Sequence, residues 1–137
     1  MWFVPFLLVA ALPVQGELKL TMDQSAYPTG DSGLMLEVSY EIPSTSLAFV
    51  RENGQFVARY QVGIQVSDKR GEVLAGDIWQ RVVRFPEYDP TVARESVEAG
   101  TVSLLVPAAA SSARVEVSDQ RSERSARASF RIDRPTG

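Results

Sequence analysis

The chain has 137 residues, of which 45% are hydrophobic and 23% charged, a composition typical of one globular domain. It contains no cysteine, which excludes disulfides, thiolate nucleophiles and cysteine metal sites. It also contains no histidine, so the commonest general base and the commonest ligand for transition metals are missing. The formal net charge of −3 argues against non-specific binding to nucleic acid.

The first residues predict an export signal. Met1 to Leu12 is an apolar run without a charged side chain, and it is shorter than the roughly 20 residues of a membrane-spanning helix. Its length and position fit a secretory signal peptide. Val14 and Gly16 stand where a signal peptidase reads small residues, so we expect residues 1–16 to be removed. The mature chain would begin at Glu17 and be exported to the periplasm or the cell exterior, with no membrane span.

The mature chain is predicted to consist of short strands, because apolar and polar residues alternate along most of it. The Asn53-Gly54 pair predicts a tight hairpin, and Gly76 predicts a bulge or a close approach of another backbone. Residues 91–98 fit either a loop or a short helix. Strands are predicted at 18–22, 34–42, 47–51, 56–67, 73–85, 101–106, 113–118 and 126–132, and a loop at 23–32.

This pattern predicts an all-β fold, an immunoglobulin-like antiparallel β-sandwich of seven to eight strands. The sandwich would be one domain over residues 17–134, followed by a short tail at 135–137.

Three segments carry a resemblance to a known family. They are the run from Leu34 to Arg51, the run from Phe56 to Val62 with an Asp-Lys-Arg-Gly turn behind it, and the run from Ala75 to Arg81. Their order resembles the N-terminal β-sandwich region of GWxTD-domain proteins, which are exported bacterial proteins of unsettled role. The Gly-Trp-x-Thr-Asp motif itself is absent from this sequence. The resemblance implies an exported sandwich, either alone or at the front of a longer gene product, and it supplies no functional residues.

Trp79 is a candidate for carbohydrate binding. Asp77, Trp79 and Arg81 share one face of a predicted strand, and Phe85 and Tyr88 follow shortly after. An aromatic side chain with polar neighbours can stack on a sugar ring. The alternative, which we weigh more heavily, is a tryptophan packed in the core of a sandwich.

Carboxylates and serines predict neither a metal site nor a catalytic one. Asp23 and Asp31 flank one loop, and Asp68, Glu72 and Asp77 bracket another turn, but the ligand spacing of a calcium loop does not occur. A serine nucleophile would lack a histidine base, and the two lysines lie in no recognisable motif. We therefore expect no enzyme activity, no cofactor and no bound metal.

Arginines are concentrated near the end of the sequence. Arg127 and Arg131 lie on the same side of the last predicted strand, where they could meet an anionic partner. The alternative is a solvated face whose ion pairs contribute well under about 1 kcal/mol each. The six arginines within the last 24 residues are Arg114, Arg121, Arg124, Arg127, Arg131 and Arg134.

The expected function is that of a non-catalytic exported module for protein–protein interaction or assembly in the bacterial cell envelope. The partner would be another protein or an adjoining domain of a longer gene product, which adds a strand to an open sheet edge. The strand at 47–51 is the predicted edge. The residues expected to contact the partner are Leu47, Phe49, Trp79, Arg127 and Arg131. Carbohydrate binding through Trp79 and neighbouring aromatics is the alternative.

Overall fold

A computed structural model describes residues 10–30, 33–88 and 96–132. Within these ranges there is no α-helix, and a single turn of 3₁₀-helix spans Ser44–Ser46. No helix there is long and apolar enough to cross a membrane. The strands are β1 (Ala10–Ala11), β2 (Gln15–Gly16), β3 (Thr21–Pro28), β4 (Leu34–Pro43), β5 (Val50–Glu52), β6 (Gln55–Ser67), β7 (Val73–Phe85), β8 (Val97–Val106), β9 (Ser112–Asp119) and β10 (Ser125–Arg131).

The strands form two antiparallel sheets. One has the order β1-β3-β4-β8, and the other has the order β2-β10-β9-β6, with β5 and β7 also paired to β6. The orders β3-β4-β8 and β10-β9-β6-β7 match the A-B-E and G-F-C-C′ arrangements of immunoglobulin-like sandwiches. Eight of the ten strands in the described ranges are longer than two residues. The predicted all-β, immunoglobulin-like antiparallel sandwich is therefore confirmed.

The core lies between the two sheets and follows the period-two pattern of the sequence. In β4 the side chains of Leu36, Val38 and Tyr40 are buried, while Ser39 and Glu41 between or beside them are exposed. The same alternation runs through β6 and β9, whose inward residues are valine, isoleucine, alanine and tyrosine, with buried Asp119 at the end of β9. Burial of apolar area at roughly 25 cal/mol per Å² is the main stabilising contribution to such a fold.

Four predicted element boundaries were wrong. The strand predicted at 18–22 begins only at Thr21. Residues 23–28 were predicted to lie in a loop but continue strand β3. The prediction failed because polar Gln24 occupies an inward position, where the alternating pattern has an apolar side chain. The strand predicted from Thr101 begins at Val97. The strand predicted at 47–51 begins only at Val50. The predicted choice between loop and helix at 91–98 falls largely outside the described residues.

Two features that the sequence predicts from its glycines are present in the structure. Asn53 and Gly54 have φ angles of 50° and 78°, and they join Glu52 to Gln55 as the predicted two-residue hairpin. At Gly76 a Cβ atom would lie 2.9 Å from the carbonyl oxygen of Ile64, so the predicted close backbone approach is confirmed.

The end of the predicted signal peptide is seated against the sandwich. β1 pairs with β3 of one sheet and β2 pairs with β10 of the other, so the segment crosses from sheet to sheet. Leu12 and Val14 pack, half-buried, against the core. Gly16 has a φ of 128°, and a Cβ there would clash with the carbonyl oxygen of Ser125. Removal of residues 1–16 stays a prediction, and it would take these contacts away.

Candidate interaction surface

One side of the sandwich ends in two strands that have a single pairing partner each among the described residues. There β7 pairs with β6 and β8 pairs with β4, and the two strands contact each other across the sheets. We call this pair of strands the open side. The opposite side carries β1 and β2. In the described ranges the exposed large apolar side chains, apart from Tyr88, all belong to the open side: Val73, Ile78 and Val82 on β7, and Val97 and Leu105 on β8.

Backbone groups of alternate β7 residues point away from the sheet. The carbonyl of Arg59 accepts a hydrogen bond from the N–H of Gln120 at 2.9 Å, on the β9 side of β6. The backbone N–H and C=O groups of successive residues point to opposite sides of a strand. Those of even-numbered β6 residues therefore point towards β7, where they pair with odd-numbered β7 residues. Even-numbered β7 residues therefore direct their N–H and C=O groups outwards. Ile78 agrees, because its N–H donates to Oδ1 of Asp77, its own neighbour, at 2.7 Å.

The open side combines apolar side chains with a few charges. Ile78 is 60% exposed and Val82 is 44% exposed, and both lie on the outer face of β7. Asp77 covers one outward N–H, and exposed Arg84 lies near the end of the strand. Charged groups at a sheet edge discourage indiscriminate pairing with other chains.

The predicted edge at 47–51 is docked onto the domain itself. Leu47 is only 5% exposed and belongs to the core. The ring of Phe49 is half-buried and stacks on Phe85, with 5.5 Å between ring centroids. Between them, the N–H of Ala48 donates to Oδ2 of Asp119 at 2.9 Å. These contacts direct Leu47 and Phe49 towards their own domain.

Trp79 lies on the inward face of β7. Its side chain is half-buried and packs against the core. The aromatic residues predicted to join it have other ring partners, since Phe85 stacks on Phe49 and Tyr88 packs edge-to-face on Phe56 at 5.5 Å. An aromatic platform at this position would therefore consist of the exposed part of Trp79 alone.

The predicted arginines share the outer face of β10. Arg127 and Arg131 are both exposed there, and Arg114 extends from the same face of β9 opposite Ser129. Glu116 lies directly opposite Arg127 in the ladder. Among the described residues, Arg59 and Glu52 form the one ion pair with a nitrogen–oxygen distance below 4 Å. Arg114, Arg127 and Arg131 therefore form no such pair with a described residue.

A buried polar chain joins the two sheets and was not predicted from the sequence. The hydroxyl of Tyr60 donates to Oε2 of Glu98 at 2.7 Å and lies 2.8 Å from the hydroxyl of Tyr40, which consequently donates to it. Burial, together with these two hydrogen bonds, raises the pKa of Tyr60 well above its usual value. Glu98 fell in the ambiguous 91–98 segment, so its sequence gave no signal of this partnership.

No metal site was found among the described residues. They contain no group of three or more aspartate, glutamate, histidine or cysteine side chains that could hold an ion. Oδ1 of Asp68 instead accepts hydrogen bonds from the N–H groups of Arg70 and Glu72, at 2.9 and 3.0 Å. This carboxylate therefore stabilises its own turn.

Comparison with known proteins gives no family. No protein-family profile matches the chain, and no curated protein matches it. Among solved structures, an arabinose-bound α-L-arabinofuranosidase, MgGH51, aligns with 86% of this chain at 11% identity and a TM-score of 0.21. The chain spans 20% of that enzyme's length.

Proposed function

We propose that this protein is an exported, non-catalytic β-sandwich module that binds a protein partner by adding the partner's strand to β7. The observation that carries the proposal is the outward direction of alternate backbone groups along β7, beside exposed Ile78 and Val82. Main-chain hydrogen bonds supply affinity in this mode of recognition, and alternate side chains supply specificity.

The side chains of β7 indicate which residues a partner strand would carry. Its side chains on the outer face would lie beside Ile78 and Val82, so apolar residues are expected there. A carboxylate or amide on the partner could pair with Arg84 at the end of the strand. Such a strand could come from an adjoining domain or from another envelope protein, as the resemblance to GWxTD-domain proteins implies.

The proposal is tested by crosslinking in the native cell. A photoreactive amino acid replaces Ile78, and a control chain carries it at exposed Thr21 on the outer face of β3, outside the open side. We expect a protein adduct at position 78 and none at 21. Adding Val82→Pro removes an outward N–H that strand addition needs, whereas Val82→Thr keeps it. The adduct should disappear with proline and persist with threonine.

Two results would contradict the proposal. One is the absence of an adduct at position 78. The other is an adduct whose yield is the same with Val82→Pro as with Val82→Thr, because contact would then not depend on main-chain pairing.

Export is tested separately by the intact mass of the native product. We expect a mass in which Glu17 is the first residue. A product that retains Leu12 to Gly16 would show that this segment belongs to the mature domain. The proposed signal peptide of residues 1–16 would then be wrong.

A further inference from the structure

The outer face of β9, β6 and β7 contains a depression built around Gly63. In the ladders Gly63 lies between Glu116 of β9 and Ile78 of β7, and it contributes no side chain to fill the space between them. Gln61 and Gln65 flank it along β6 on the same face. The depression measures about 610 Å³, which lies in the range of small-molecule sites.

Gln61, which lines one end of this depression, is the last member of a hydrogen-bonded row of three amides. Nε2 of Gln120 donates to Oε1 of Gln80 at 2.7 Å, and Nε2 of Gln80 approaches Oε1 of Gln61 at 3.4 Å. The row leaves the Gln61 amide nitrogen as a donor beside the depression. At the other end, Arg114 lies opposite Gln65 and adds further donors.

We propose that this depression binds a neutral oligosaccharide. Primary amides offer both donors and acceptors, which suits hydroxyl groups that also do both. Ile78 supplies an apolar contact for the C–H face of a sugar ring. The lining includes both Arg114 and Glu116, so charge of either sign on the ligand would meet repulsion as well as attraction. This site adjoins the β7 edge and shares Ile78 with it, whereas Trp79 lies on the inward face of β7.

Gly63→Val is the decisive variant. A Cβ at this position would lie 3.9 Å from its nearest neighbour, Cγ1 of Ile78, so a β-carbon fits there and the methyl groups of valine would extend into the depression. Valine is also well suited to a strand. Ser103→Val makes a similar change on the outer face of the other sheet and serves as the matched control.

The full-length protein is applied to an array of neutral oligosaccharides, namely glucans, galactans, mannans and chitin oligomers, and affinities are measured by calorimetry. We expect binding to at least one class, a loss of tenfold or more with Gly63→Val, and no change with Ser103→Val. Gln65→Ala should weaken binding roughly threefold to tenfold, as loss of one hydrogen bond does.

Three results would overturn the proposal. Wild-type protein that binds none of these oligosaccharides would do so directly. Binding that survives Gly63→Val but disappears with Trp79→Phe would place the sugar at Trp79 instead. A change of oligomeric state with Gly63→Val, without any sugar binding by the wild type, would make the depression a contact between protein surfaces.

Discussion

Tyr60 is the residue on which the polar contact between the sheets depends. It donates to Glu98 and accepts from Tyr40 inside an otherwise apolar core. Tyr60→Phe leaves both partners without this hydroxyl, so we expect a loss of about 1–3 kcal/mol in the free energy of unfolding. Denaturant unfolding measures this loss, and Tyr27→Phe, which removes the more exposed bond to Glu37, should have a smaller effect.

The same residue makes stability depend on alkaline pH. Burial raises the pKa of Tyr60 in the folded protein above its unfolded value of about 10, so the folded state holds this proton more tightly. The associated stability is fully present below pH 10 and is lost as the pH rises above that value. We expect the free energy of unfolding of Tyr60→Phe to fall less steeply with pH above pH 10 than that of the wild type. Equal slopes would show that Tyr60 does not contribute.

Asp119 is a buried carboxylate that fastens the 47–49 segment to the rest of the domain. It is 0% exposed and accepts hydrogen bonds from the N–H of Ala48 at 2.9 Å and the hydroxyl of Ser122 at 2.8 Å. Asp119→Ala leaves these two donors without an acceptor and should lower the free energy of unfolding by about 2–3 kcal/mol. Exposed Glu116, on the same strand, provides the control, since its change to alanine should stay within about 0.5 kcal/mol.

Roles of this kind were not predictable from sequence, because they depend on contacts between distant residues. Asp119 and Ala48 are separated by 71 positions, and in the sequence Asp119 resembles any polar residue at the start of a turn. Buried Gln24 illustrates the same difficulty, since a polar inward side chain interrupted the alternation that would have revealed β3. Phe49 looked like an exposed apolar residue until its stacking on Phe85 was known.

At the scale of the strands, the alternation in the sequence was sufficient for β4, β6 and β7. Their predicted spans agree with the structure to within a residue. The alternation does not state which strands lie at the ends of a sheet, because a strand has the same period whether one neighbour or two pair with it. Within the described residues, β5, which includes Val50 and Arg51 of the predicted edge, pairs only with β6, and so does β7, which was not predicted as an edge.

Two glycines of the neighbouring strands β6 and β7 should respond oppositely to alanine. At Gly63 a Cβ has ordinary contacts, so Gly63→Ala should raise the free energy of unfolding by about 0.5–1 kcal/mol. At Gly76 a Cβ would lie 2.9 Å from the Ile64 carbonyl oxygen, and Gly76→Ala should lower it by about 1–3 kcal/mol. Urea unfolding of both variants measures the difference. Equal effects would contradict the close approach of β7 to β6 at Gly76.

At the scale of the whole molecule, the two sides of the sandwich differ in how they end. One side carries the short strands β1 and β2, and on the other no described residue pairs with the outer edge of β7 or β8, which carry exposed apolar side chains. If the protein adds a partner strand as proposed, this asymmetry sets the side on which it does so. An uncovered strand of this length is prone to unwanted pairing, so a partner that covers it would also protect the protein from aggregation.

The open edge of β7 is tested most directly by amide hydrogen exchange of the purified protein, residue by residue. The account predicts that the outward N–H groups of Gln80 and Val82 exchange rapidly. It predicts that those of Trp79, Arg81 and Val83, which pair with β6, exchange slowly. Slow exchange at every one of these positions, or the opposite alternation, would show that β7 is not an open edge and would remove the basis for strand addition.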